Sequence, residues 1–272
     1  MKKIMVMVIA VALLVSACSS ESIHNNEPNL LETEGENETL ISSNSSDSGR
    51  DNEPSEENET LMRDGDYIVF GRYEQDGNES NGPEPIEWVI VSEEGDRTLI
   101  MSRYVLDCQQ FNTEFEAVTW ENCSLRSWLN DDFFNAAFNE TEQNQIITVI
   151  LSNPDNVVQG TEGGNDTEDR VFCLSVEEIL ANYEFDSDQN ISRSLIAEAS
   201  QYASNQRLFV DNNGCAPWWL RTPAGSGTGD ELCACYVTAD GKAGWGASTF
   251  YVSYAHNGVR PAIYISSSLI PQ

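Results

Sequence analysis

Residues 86–102 read IEWVIV-S-EEGD-RTLIMS, two apolar runs on either side of an acidic turn that holds Gly95. Runs of this length bounded by Gly and Asp predict a β-hairpin. Upstream, YIVFGRY (67–73) predicts another strand. Downstream the period changes. Leu125, Trp128, Leu129, Asp132/Phe133 and Ala136 fall near helical spacing, so Ser124–Phe138 predicts a helix with Ser124 as its cap. Asp132 is a blemish on that stripe. Ser175-Val-Glu-Glu178 has capping-box spacing, in which serine hydroxyl and glutamate carboxylate each bond the other's backbone N–H. It predicts a short helix through Ile179 and Leu180. Leu195, Ala199, Tyr202 and Ala203 predict a further helix near 192–205. The last third returns to strands. Cys233–Thr238 runs into an Asp240-Gly241 turn, and Thr249–Tyr254 and Ala262–Ser266 follow. Strands bracketing a central helical region give an α+β class.

The chain has 272 residues, with 45 Asp and Glu against 14 Lys and Arg and a formal net charge of −31. Nucleic-acid binding needs clustered cations at the phosphates, so nucleic acid is excluded as a partner. The charge also argues against a basic patch on anionic lipid. Lys2 and Lys3 precede an uncharged apolar stretch at 4–15. It has the length of a secretory signal core and is short of the roughly 20 residues of a membrane span. The stretch ends in Val15-Ser16-Ala17-Cys18, which resembles a bacterial lipobox. That resemblance implies a signal peptide at 1–17, lipidation of Cys18, and a protein anchored to the membrane of a bacterial cell envelope, facing outside the cytoplasm.

Residues 18–62 follow as a linker without aromatics, rich in Ser, Asn and Glu, with Arg50 its single base. The piece NEPNLLETEGENETL (26–40) returns as NEPSEENETL (52–61). Such a composition buries too little apolar surface to offset ordering entropy, and predicts a disordered, self-repelling tether. Residues 63–272 hold every Phe, Trp and Tyr and predict one mixed domain.

Histidine is scarce. His24 lies in the linker, so Ser-His-Asp or Cys-His chemistry would have to use His256. No nucleophile elbow, Walker loop, dinucleotide fingerprint or His-Glu-x-x-His occurs. Beyond Cys18 there are Cys108, Cys123, Cys173, Cys215, Cys233 and Cys235. An even number outside the cytoplasm permits disulfides, with buried thiols as the alternative. Cys233-Ala-Cys235 places two thiols on one strand face, as in a redox pair, a metal site or two separate structural contacts. A zinc site shared with His256 lacks a fourth ligand. GTEGGNDTED (160–169) has the oxygen supply of a calcium loop but lacks EF-hand order, and reads first as an ordinary solvated loop. No cofactor is predicted, calcium being the one candidate. Aromatics gather near the end. Exposed Tyr and Trp beside Asn and Gly make an adaptable recognition surface, and the same rings would equally fill a core. Tyr236, Trp245, Tyr251, Tyr254, His256 and Asn257 are the candidate ligand-binding residues; no catalytic residue is assigned.

Seven motifs occur in order: GDYIVFGRYEQD (65–76), PIEWVIV (85–91), LDCQQFN (106–112), WENCSLRSWLNDDFFNAAF (120–138), DRVFCLSVEE (169–178), WWLRTP (218–223) and GVRPAIYI (258–265). The set resembles the bacterial domain-of-unknown-function family numbered 6273 over nearly all of 63–268. That family is similar to the C-type-lectin-like fold, in the branch shared with formylglycine-generating enzymes. The resemblance implies an α+β domain with a twisted antiparallel sheet, flanking helices and a long loop-rich segment. Trp88, Trp120, Trp128, Trp218 and Trp219 are then core anchors. Arg126, Arg221 and Arg260 are guanidinium bridges that fix loops, scaffold rather than catalytic groups. In some related folds a variable segment before a terminal Gly-x-Arg motif makes the binding face, and residues 224–257 hold that place here.

The expectation is a surface lipoprotein whose lectin-like domain binds an extracellular glycan or protein through 225–257. The alternatives are a cysteine- or metal-dependent oxidoreductase related to formylglycine-generating enzymes, and a structural envelope protein.

Overall fold

The strands in chain order are β1 (Met62–Asp64), β2 (Tyr67–Tyr73), β3 (Glu84–Glu94), β4 (Arg97–Ser102), β5 (Asp107–Cys108), β6 (Ile146–Ile147), β7 (Val149–Leu151), β8 (Thr167–Asp169), β9 (Trp218–Ala224), β10 (Cys233–Val237), β11 (Thr249–Tyr251), β12 (Gly258–Val259) and β13 (Ala262–Ser266). This computed structural model describes residues 61–64, 67–186, 191–225, 232–243 and 249–270. The expected signal peptide, Cys18 and the tether lie outside them. No helix among the described residues is long and apolar enough to cross a membrane.

The strands form a six-stranded sheet in the order β1-β2-β3-β4-β13-β6, a five-stranded sheet in the order β11-β10-β9-β12-β5, and the pair β7-β8. The predicted hairpin is present. β3 and β4 pair antiparallel from Trp88 opposite Ser102 to Glu94 opposite Arg97, closed by Gly95 at φ +70°. β13 pairs along the other edge of β4, with Ile263 opposite Ile100, so the C-terminal motif completes the sheet that the first motifs began. β12 lies parallel to β9 and antiparallel to β5.

β4 is buried from Thr98 onward and β9 along its whole length. Such strands are covered on both faces, which explains why RTLIMS and WWLRTPA show no polar alternation. Trp88, Trp120, Trp218 and Trp219 are fully buried. Each indole N–H donates to a partner: Phe70 O at 2.7 Å, Asp169 Oδ2 at 3.1 Å, Leu195 O at 3.2 Å and Gln109 O at 2.8 Å. A buried N–H left without a partner would cost a large part of what ring burial contributes. Trp128 is half-buried against the same core.

The predicted helix over 124–138 is interrupted. α1 (Ser124–Trp128) opens into a π turn at Leu129–Phe133 and resumes as α2 (Phe134–Ala137). The cap is Cys123, whose Sγ accepts from the Arg126 N–H at 3.4 Å, while the Ser124 hydroxyl accepts from the Thr113 N–H. A π turn adds a residue to the repeat and rotates the apolar stripe. Leu125, Leu129, Phe133, Phe134, Ala137 and Phe138 are buried, and Asp132 and Ala136 face solvent. The blemish in the helical pattern marks the place where the period changes.

α3 (Glu140–Gln145) and α4 (Val176–Asn182) each begin with a capping box. At α4 the Ser175 hydroxyl accepts from the Glu178 N–H at 3.1 Å, and Glu178 Oε2 accepts from the Ser175 N–H at 2.8 Å. The segment 192–205 is not one helix. A 3₁₀ turn at Arg193–Leu195 and α5 (Gln201–Asn205) are separated by extended residues, where Ala199 bridges Val105. The strand expected at Thr249–Tyr254 stops at Tyr251, because Tyr254 N–H turns back to Tyr251 O. The assembly is α+β with curled antiparallel sheets.

Candidate functional site

β10, β11 and the turn that follows β11 place three aromatic rings in a column. Tyr236 stacks on Phe250 with centroids 4.0 Å apart and planes 10° apart. Phe250 stacks on Tyr254 at 4.2 Å and 25°. The register that pairs Ala234 with Phe250 sets one side of this column, and the turn after Tyr251 folds Tyr254 back onto it. The column borders a groove of about 430 Å³. Phe209, 55% exposed, and Pro217 add apolar wall, while Asp211, Thr238 and Asp240 bring oxygen acceptors. Asp211 accepts from the Cys215 and Asn213 N–H groups, each at 2.8 Å, and these bonds hold its carboxyl below the usual range. The Thr238 hydroxyl donates to Asp240 inside the Asp240-Gly241 turn. An apolar wall with a few fixed polar groups is the usual composition of a small-molecule site.

Of the six residues expected to bind ligand, Tyr236 and Tyr254 line this groove. His256 packs edge-on against Tyr254 at 5.3 Å, with Nδ1 2.5 Å from Arg207 O. Tyr251 is 53% exposed and meets exposed Phe115 edge-on at 5.3 Å. Asn257 is fully buried, so its amide is not at the surface, and neither end of that amide has a partner among the described residues. Trp245 lies outside the described residues. Phe209 and Asp211 were not legible as site residues, because they precede the aromatic cluster and carry no motif.

All three motif arginines reach carbonyls or carboxylates as expected, Arg260 through a carbonyl alone, its Nε donating to Ser102 O at 2.7 Å. Arg126 Nε lies 2.6 Å from Asp169 Oδ1, and its other nitrogens donate to Glu121 O and Glu168 O. Arg221 meets Glu178 through both Nη atoms, at 2.5 and 2.8 Å, and also donates to Cys173 O. Asp169 belongs to the loop 160–169, whose sequence reads first as solvated, with calcium as a lesser candidate. It is buried beneath Arg126, Trp120 and the Thr167 hydroxyl, so that acid is part of the scaffold. Among the described residues, the acids that approach one another closely enough for a cation are Glu74, Asp76 and Glu84. Asp76 and Glu84 hold loop amides: Asp76 takes the Asn78 N–H, and Glu84 takes those of Gln75 and Asp76.

None of the six cysteines after Cys18 is in a disulfide. Burial pushes the Cys108, Cys123 and Cys235 thiols up to about 12, and raises those of Cys173 and Cys215 as well. Neutral thiols are poor nucleophiles and poor metal ligands. Cys235 Sγ instead faces the Asn156 side-chain amide at 3.8 Å.

The family model described as Domain of unknown function (DUF6273) matches residues 95–267. The match starts at the hairpin turn, so β2 and β3 precede it. No curated protein and no solved structure matches the chain.

Proposed function

The chain belongs to the DUF6273 family, and on that premise we propose that its domain is a ligand-binding module of C-type-lectin-like type, carried at the bacterial cell surface by a lipid on Cys18. The ligand is a glycan with neutral or amino sugars. The observation that carries this reading is the Tyr236–Phe250–Tyr254 column beside Asp211, Thr238 and Asp240. The apolar face of a sugar ring packs on an aromatic wall, and its hydroxyls donate to carboxylates. An excess of acids disfavours polyanionic glycans at this groove and favours ammonium-bearing ones.

The test is capture of the full chain on an array of neutral, amino and acidic oligosaccharides. Wild type is expected to bind neutral or amino sugars. Tyr254→Ala and Asp240→Asn are expected to lose that signal with Tm shifted by no more than about 5 °C. No capture by any sugar, or loss only where the fold collapses, overturns the reading.

A further inference from the structure

Arg260 differs from the other two motif arginines. Its side chain is buried, 3% exposed, and among the described residues no carboxylate meets it. Nε donates to Ser102 O at 2.7 Å, and the guanidinium lies 5.2 Å from the centre of the Trp218 ring. Nη1 is buried without a partner among the described residues. The ionisable group that acts on it is Tyr183, whose own pKa burial raises, so that neighbour is neutral. In a chain with 45 acids against 14 bases, carboxylates are abundant. A buried cation left without one is costly unless something else supplies the charge.

Arg260 lines a pocket of about 310 Å³. Arg103 and Arg193 line the same pocket, with Tyr67, Tyr104 and Glu198. Arg103 is already paired with Glu87 at 2.5 Å and lies over the Tyr67 and Tyr104 rings. Arg193 and Glu198 are exposed. Three arginines, one of them buried and unneutralised, thus converge on one cavity in an otherwise acidic molecule.

We propose that this pocket binds a small oxyanion, with Arg260 as its buried partner and Arg193 at the rim. A carboxylate or a phosphate would accept from the guanidinium through charge-assisted bonds, with Trp218 beneath and the tyrosines around it. The site is separate from the aromatic groove and does not depend on the reading given for that groove.

The full chain is titrated calorimetrically with acetate, succinate and inorganic phosphate at constant ionic strength. At least one is expected to saturate. Saturation by the carboxylates alone identifies an organic acid, and by phosphate alone a phosphate group; either supports the site. Arg260→Gln is expected to abolish the binding. Two rim variants keep the test valid if that protein does not fold. Arg193→Gln is expected to weaken binding about tenfold without changing Tm in ligand-free buffer. Glu198→Gln is expected to tighten it about two- to fivefold. No saturation by any of the three ions, or rim variants that bind as wild type does, overturns the proposal.

Discussion

Glu178 grips Arg221 with both carboxylate oxygens while Oε2 also accepts the Ser175 N–H that starts α4. One carboxylate therefore ties the buried strand β9 to the helix that packs beside it. The geometry makes the capping box and the WWLR motif parts of one device, although Glu178 and Arg221 are 43 positions apart in the chain.

Removing one partner of this pair leaves the other charge poorly compensated. Glu178→Gln is expected to cost about 3–5 kcal/mol in urea unfolding. The double variant Glu178→Gln/Arg221→Met is expected to recover part of that loss, because the uncompensated cation goes with it. A double variant whose cost equals the sum of the singles would mean that the two residues act independently.

Gly71 tests packing against β2. It sits at φ +71°, and an added Cβ would lie 2.6 Å from the Phe138 ring and 2.8 Å from Ala137 O. Gly71→Ala is expected to lose about 2–4 kcal/mol, from left-handed strain together with overpacking. Gly95 has nearly the same φ, +70°, with open space around it. Gly95→Ala should lose only about 1–2 kcal/mol, the strain alone. Equal losses at the two sites in the same melt would remove the packing contribution.

Local signals carried far in this chain, and distant ones did not. The hairpin at Gly95, the capping box at Ser175 and strand Ala262–Ser266 were legible because each is specified by neighbours within a few residues. The π turn at Leu129–Phe133 was visible only as a misplaced acid, since its wider turn breaks the period used to find helices. Within the site, Tyr236 and Tyr254 were legible from their aromatic neighbourhood. Phe209 and Asp211 reach the groove by tertiary folding alone, and Arg260 looked like Arg126 and Arg221 in sequence. The presence or absence of a carboxylate partner is a fact of three-dimensional packing.

The thiols provide a simple test of burial. Cys123, Cys173 and Cys235 are buried, and their pKa values are raised chiefly by loss of solvation. They are expected to stay unreacted with an aromatic disulfide reagent at neutral pH and to react fully once the chain is unfolded in denaturant. Mass spectrometry of the labelled peptides identifies which thiols respond. Rapid labelling of Cys123 or Cys173 in the native protein would contradict the packing around α1 and β9.

Asp107 gives a pH dependence of defined sign. It is 2% exposed, accepts from the Tyr73 hydroxyl, and also takes the Cys108 N–H at 2.6 Å and the Gln109 amide at 3.1 Å. Burial raises its carboxyl above the usual range, and the bonds from Tyr73, Cys108 and Gln109 offset that rise only in part. Tyr73 is pushed upward too, first by burial and then by Asp107, so it stays a neutral donor. Between the ordinary carboxyl value and the raised one, the folded chain binds more protons than the unfolded chain. Stability contributed through Asp107 therefore falls as pH rises from about 4 and levels off once the group is ionised in both states. Asp107→Asn removes that contribution and keeps an acceptor for the Cys108 N–H. The stability of wild type minus that of the variant, from urea unfolding at a series of pH values, is expected to decline with rising pH and then flatten. The common background of surface acids cancels in this difference. A difference that rises with pH would show that hydrogen bonding outweighs desolvation at Asp107.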